Sequence, residues 1–296
     1  MKLFNKDNRE MTLGAKGRLY GDTFIPEEFE NVILRHIILN SISHSDFRPS
    51  PILLIQGKKG EGKTFMTNTI LDGNNIFFKS ISSSVLSGEK EGEAASNLRL
   101  YYKNCENDPE NGKYTALVID DFHLSIAISK NTASHTTNAD GLIEALMNIA
   151  DRKEKLKAPI ILIGNNFTDA YAPLIRAGRT TICTWEPSLD DKKEIVRRII
   201  MKHKFDPSCI EWENVSNFVE QFKDQYIGFY EKVIENACFQ KLLNVTNLFA
   251  ECKGKVSLDK LTNMIINSSE RRQITMKDLY REANNLLEVK VKKFDK

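Results

Sequence analysis

This chain of 296 residues is poor in cysteine, has no long apolar run and carries almost no net charge, and each shortage removes a class of function. The cysteines, Cys105, Cys183, Cys209, Cys238 and Cys252, are odd in number and scattered, with no C-x-x-C pair. That argues against a disulfide framework and suits a reducing compartment, with free thiols acting as small hydrophobes. The histidines at 36, 44, 123, 135 and 203 share no metal-ligand spacing, so a structural zinc site is not expected. No apolar stretch approaches the roughly 20 residues that span a bilayer, and no secretory leader is visible, so a cytoplasmic protein without membrane contact is expected. A formal charge of +2 gives little pull toward polyanions, and nucleic acid is not indicated. The guanine signature Asn-Lys-x-Asp is missing, which disfavours GTP. What is present, 41% hydrophobic and 28% charged residues, is ordinary globular composition for one large or two moderate domains.

The most informative segment is Gly57-Lys58-Lys59-Gly60-Glu61-Gly62-Lys63-Thr64, which fits G-x-x-x-x-G-K-[ST] at every fixed position. Glycines let the backbone curl until successive N–H groups face one anion. Lys63 can reach the β- and γ-phosphates of a nucleotide, and the Thr64 hydroxyl can ligate Mg²⁺. Pro51-Ile52-Leu53-Leu54-Ile55 precedes the loop as an apolar strand, and Phe65 to Leu71 can continue it as a helix. That order sets a helix N-terminus beneath the phosphates. Residues 57–65, Phe65 included, are the expected ATP cradle.

Apolar strand-like segments at 76–81, 115–119, 159–164 and 180–185 alternate with helical periodicity at 27–43, 93–105 and around 142–149. This rhythm predicts an α/β fold, a parallel sheet with helices on both faces. Beyond Glu186-Pro187-Ser188 the strand signal fades, and helices are predicted at 190–203, 212–222, 227–243, 258–266 and 275–289. On the helix at 190–203, Ile195, Ile199 and Ile200 form the expected apolar face. The expected organisation is a polar N-terminal arm (1–21), an α/β nucleotide-binding subdomain (22–186) and a helical lid subdomain (187–296). Its basic end, 290–296, reads as a solvated tail.

Further candidate stations follow the loop. Asp120 ends the strand at 115–119, where a carboxylate can hold Mg²⁺ or its water beside Thr64. Asp121 can orient and deprotonate an attacking water, although most ring ATPases use Glu there. Two strand-end aspartates can also simply cap a turn. Asn165 follows the fourth strand, from which an amide reaches the γ-phosphate and the water, or serves as a turn residue. Arg176 and Arg179 precede the fifth strand. They are either surface charge or fingers inserted into a neighbour's nucleotide site to stabilise the transferring phosphoryl group.

Phosphate loop, Asp-Asp, strand-end Asn, paired Arg and helical lid, in that order, resemble the AAA+ ATPases, and the wording is similar to Rubisco activases of the green type. Residues 57–65 resemble that family's phosphate loop, and Ala145-Leu146-Met147-Asn148-Ile149-Ala150-Asp151 resembles the helix after its second pore loop. The long run from Gly164-Asn165-Asn166-Phe167 to Arg176-Ala177-Gly178-Arg179 is similar to its sensor-1 and arginine-finger segment. The resemblance covers about residues 22–290. It implies Mg-ATP hydrolysis with Lys63 and Thr64 on nucleotide and metal, Asp120 and Asp121 as the Walker B pair and Asn165 as sensor 1. It also implies Arg176 and Arg179 acting in trans, within a hexameric ring that pulls a protein client through its pore. Residues 87–93 fall where the first pore loop lies, and Leu124 to Thr137 where the second lies.

Three departures are visible. The core begins almost at once, so the N-terminal domain that engages Rubisco is expected to be absent. The second pore segment reads Ser125-Ile126-Ala127-Ile128-Ser129-Lys130 rather than Gly-rich, and the sensor-2 region, Val233-Ile234-Glu235-Asn236, has no arginine, with only Lys232 nearby. The expectation is a retained motor with altered client-reading parts, working on a protein client. The alternative is an ATP-switched assembly factor or sensor within a nucleic-acid-associated or defence complex. A small-molecule kinase is disfavoured by the paired arginines and the helical lid.

Overall fold

The computed structural model describes residues 14–41, 49–86, 90, 92–106, 115–127, 133–151, 158–167, 173–175, 178–203, 210–243 and 274–294. Arg176, residues 87–89 and 91 of the first pore segment, 128–132 of the second and the helix expected at 258–266 lie outside the described residues. Two compact units are present, one being Ile25–Glu186 and the other combining the chain before it with the helices from Pro187 onward.

Near the start, β1 (Gly17–Tyr20) pairs with β2 (Thr23–Pro26). The stretch expected to be a featureless arm, 1–21, therefore contains a strand. Four residues are too few to carry a readable period of two, and only the Gly21-Asp22 turn hints at a hairpin. Next, α1 (Glu27–Ser41) begins directly after Pro26 with Glu27, Glu28 and Glu30 in its first turn, where carboxylates meet the positive end of the helix dipole.

The sheet of this unit is built from β3 (Ile52–Gln56), β4 (Phe77–Ser82), β5 (Thr115–Asp120), β6 (Ile160–Gly164) and β7 (Thr180–Thr184). Its order is β4-β5-β6-β3-β7, and every pairing is parallel. The connecting helices are α2 (Lys63–Gly73), α3 (Ser83–Leu86), α4 (Glu93–Glu106), α5 (Phe122–Ala127) and α6 (Ala133–Ala150). This is the expected α/β architecture. Ile52 to Ile55 and Ile160 to Ile163 are buried, as strands covered on both faces must be. Leu54, Leu98, Leu117, Leu146 and Leu162 share one core, each worth about 1.5–3 kcal/mol of apolar burial.

Strand order decides where a ligand can sit. β3 lies between β6 and β7, with Ile52 in register with both Ile160 and Thr180. The chain leaves β3 for the edge strand β4, yet later crosses from β6 over to β7. Connections that depart in opposite directions open a crevice at the carboxyl ends of the strands.

The second unit contains α7 (Leu189–Lys202), α8 (Trp212–Gln221), α9 (Ile227–Leu243) and α10 (Met276–Phe294). Phe218, Phe222, Phe229, Tyr230 and Tyr280 pack as a chain of edge-on and tilted rings. Tyr230 Oη donates to the Phe222 carbonyl at 2.6 Å, satisfying its polar end in the core. Two corrections belong here. α10 runs on to Phe294, past the predicted end at 289, because lysines are good helix formers and suit a helix C-terminus. On α7 the buried positions are Lys192, Glu194, Val196, Arg198 and Ile200, with Ile199 partly buried against the same core, so the predicted face holds at Ile199 and Ile200 and fails at Ile195.

Candidate functional site: a phosphate loop at the sheet's carboxyl edge

A cleft of about 290 Å³ opens over the ends of β5 and β6 and the loop after β3, lined by Lys63, Thr64, Asp120, Asp121, Gly164 and Asn165 among others. The loop's shape depends on two glycines. Gly62 caps α2 with φ 74°, and a Cβ on Gly57 would collide with the Trp185 carbonyl. Neighbouring side chains brace the loop. The Trp185 indole N–H donates to the Glu61 carbonyl at 3.0 Å, and Phe29 packs edge-on against that indole. The Gln56 amide donates to Thr184 Oγ1 at 3.0 Å and accepts from the Phe167 N–H at 3.3 Å. Gly57 N–H donates to the Asn165 carbonyl at 3.2 Å, tying the loop to the end of β6.

Lys63 is buried, and its Nζ donates to the carbonyls of Gly57 and Lys58, each at 2.8 Å, and lies 3.4 Å from Asn165 Oδ1. Burial lowers the ammonium's pKa, while the charges of Glu61, Asp120 and Asp121 pull it the other way. Neutral carbonyls are weaker acceptors for an ammonium than an anionic oxygen, so the position favours phosphate.

Thr64 Oγ1 donates to Asp120 Oδ1 at 2.8 Å, and the Asp121 N–H donates to the same oxygen at 2.8 Å. A hydroxyl and a carboxylate side by side form an all-oxygen donor set of the kind that suits Mg²⁺ with phosphate and water. Among the described residues no cluster of three or more His, Cys, Asp or Glu could hold a metal without such help.

Asp121 occupies the left-handed region, φ 51°, with its side chain about half exposed toward the cleft. Asp and Asn tolerate that backbone better than Glu, a local reason for the shorter acid here. Asn165 projects between Lys63 and His123, its Nδ2 3.1 Å from His123 Nε2. Sequence reasoning missed His123, because a lone histidine two residues after Asp121 has no motif around it. The brace residues Gln56 and Trp185 were missed for the same reason.

Of the other expected cradle residues, Lys59, Gly60 and Phe65 line the cleft, with the Phe65 ring exposed. Lys58 points to the surface and pairs with Glu186 at 3.0 Å. Arg179 is not in this cleft. Its guanidinium makes a two-pronged ion pair with Asp151, at 2.7 and 2.5 Å, and donates to the Pro173 carbonyl at 2.7 Å. The Asp151 hydrogen bond raises its pKa further.

Residues 53–187 match the family model for the ATPase family associated with various cellular activities (AAA). The ribulose bisphosphate carboxylase/oxygenase activase of Nostoc is 29% identical over 260 residues, covering 83% of this chain and 60% of that protein. The chloroplastic activase of Spinacia oleracea is 26% identical over 288 residues, covering 91% and 58%. That of Arabidopsis thaliana is 29% identical over 259 residues, covering 83% and 52%. The chain thus spans between half and two thirds of the length of these relatives. Residues 53–187, which carry the cleft, thus match the AAA ATPase family, in a chain similar to the Rubisco activases over most of its length.

Proposed function

We propose that this chain is an Mg²⁺-dependent ATP hydrolase that assembles into a ring, hexameric as in the family it resembles, and remodels a protein client. In this reading residues 22–186 bind nucleotide and 187–296 act as the lid. Lys63 and the loop N–H groups hold the β- and γ-phosphates. Thr64 and Asp120 hold Mg²⁺, which neutralises charge on the phosphate oxygens. Asp121 takes the proton of the attacking water, Asn165 orients that water or the γ-phosphate, and Arg176 and Arg179 serve the site of a neighbouring subunit. The supporting observation is convergence: the Lys63 ammonium, the Thr64–Asp120 pair and the Asn165 amide meet at one cleft, although the sequence separates them by up to 102 residues. The relatives' names speak of activating ribulose bisphosphate carboxylase/oxygenase. Here the second pore segment differs in composition, so a different protein client is proposed.

The deciding experiment uses the full chain and its Asp121→Asn variant. Wild type should hydrolyse ATP with Mg²⁺, and the variant should bind ATP and be sized as a ring by mass photometry. The ATP-loaded variant is then used to capture partners from lysate with and without nuclease. A protein retained equally in both supports remodelling. Capture that needs nucleic acid favours the ATP-switched assembly factor instead. A monomer that shows no ATP turnover defeats both.

A further inference from the structure

Three of the side chains in the cleft join through a fourth that nothing above gives a role. Asn165 presents Oδ1 to Lys63 Nζ at 3.4 Å and Nδ2 to His123 Nε2 at 3.1 Å. Lys63 can only donate, so the Asn165 oxygen must face it, which leaves the amide's N–H₂ facing His123. The flipped amide would set two donors against each other at Lys63. Nδ2 being a donor, His123 Nε2 must accept, and the ring is neutral with its proton on Nδ1. That Nδ1 is buried, has no hydrogen-bond partner among the described residues, and lies 4.0 Å from Asp121 Oδ1. A polarised row results: Lys63 N–H to Asn165 carbonyl, Asn165 N–H to His123 Nε2, His123 Nδ1–H toward Asp121.

We propose that His123 is a positioning residue for hydrolysis, holding the Asn165 amide in its working orientation and presenting Nδ1–H to the Asp121 carboxylate. This rests on the ATP hydrolase reading above and adds to it the link between the residue nearest the phosphates and the base. The physical logic is directional. A side chain amide has no intrinsic preference between its two ends, so some neighbour must break the tie, and Lys63 and His123 break it in the same sense. The Asp121 side chain is about half exposed, so a donor on the more buried His123 ring limits the orientations its carboxylate can take. His123 is not among the residues that line the cleft and acts only through its two neighbours.

Two measurements on the full chain test it. First, long-range ¹⁵N–¹H NMR of the ¹⁵N-histidine-labelled protein, with the His123 signal assigned from the His123→Gln spectrum, should show the Nδ1–H tautomer. An Nε2–H tautomer would overturn the proposal and leave the ATP hydrolase reading intact. Second, His123→Leu should lower kcat by about 10- to 100-fold with KM and the affinity for a non-hydrolysable ATP analogue within about two-fold of wild type. His123→Gln, whose amide oxygen can still accept from Asn165, should recover part of that loss. In an Asn165→Ala background His123→Leu should cost several-fold less than in the wild-type background, because one of the two groups it positions is gone. An equal loss in both backgrounds would show that His123 does not act through Asn165 and would overturn the proposal, and a loss confined to analogue binding or to melting temperature would show a merely structural histidine. No turnover by the wild-type chain would overturn the hydrolase reading, and this proposal with it.

Discussion

Among the described residues the Lys63 ammonium has carbonyl oxygens and an amide at hydrogen-bond range, a position that suits an anion. Lys63→Ala should weaken ATP binding by about 10- to 100-fold, the equivalent of one charge-assisted hydrogen bond, as read by calorimetry. Near-normal affinity would move the phosphate site elsewhere. Asp121→Asn keeps a residue that accepts the left-handed backbone at φ 51°, so it should fold and bind ATP while turnover falls by about 100-fold or more. Unchanged turnover would mean that another group takes the proton. His36 gives a pH prediction. Its buried Nε2–H donates to the Ile160 carbonyl at 3.1 Å, and burial lowers its pKa from 6.5 to about 4 against the raising effect of that bond. The folded protein therefore holds the neutral ring while the unfolded chain protonates, and stability is lost as pH falls from about 6.5 toward 4. Between pH 7 and pH 5 the loss from this group is about 2 kcal/mol. Urea unfolding should show that drop shrink by a similar amount in His36→Leu, and an identical drop in both proteins would discard the assignment.

At the scale of elements, legibility followed the strength of the local signal. The strands β3, β5 and β6 were visible as apolar runs because both of their faces are covered. α7 was visible as helical periodicity over 190–203, and the structure adds a cap at Ser188, whose Oγ accepts from the Asp191 N–H at 3.1 Å while the Asp191 carboxylate accepts from the Ser188 N–H. Its buried face was not visible. Glu194 has no exposed side-chain surface, and it pairs with Arg198 at 2.7 Å and Arg197 at 3.7 Å. Lys192 Nζ donates to the carbonyls of Lys223 and Gln225 at 3.0 and 2.8 Å. A hydrophobicity pattern assigns such residues to solvent, because the partners that satisfy them come from a helical turn or a distant loop. Glu194→Ala should leave the buried Arg198 and the partly buried Arg197 without their carboxylate and cost about 3–5 kcal/mol, seen in thermal or denaturant unfolding. A change below about 1 kcal/mol would show that the pair is solvated in solution.

For the whole molecule the open matter is whether one subunit completes another's site. Arg179 is bound to Asp151 of its own chain, so its loss removes a local ion pair whether or not it also serves a neighbour. If it acts in trans, Arg179→Ala should bind ATP normally and hydrolyse poorly, and mixing it with Lys63→Ala should restore part of the activity. Asp151→Asn separates the two roles, since it breaks the ion pair and leaves the guanidinium in place. No recovery at any mixing ratio would limit Arg179 to its local role. Specific activity of the wild type should also rise with protein concentration as rings assemble, and a flat profile would contradict assembly in that range.

The amino-acid sequence by itself determined the nucleotide chemistry and the α/β order, because both are written in short contiguous strings: a glycine-rich loop between an apolar strand and a helix, and strands alternating with helices. It did not determine the hairpin of β1 and β2, the charged interior of α7 or the role open to His123. The hairpin's four-residue strands are too short to carry a readable period, and the rest depends on partners that only folding supplies, such as Lys192 against the Lys223 and Gln225 carbonyls, Asn165 between Lys63 and His123, or Trp185 beneath Glu61. Only the parallel sheet, which sets the end of β6 beside the ends of β3 and β5, decides which of many polar residues face one another across a few ångströms.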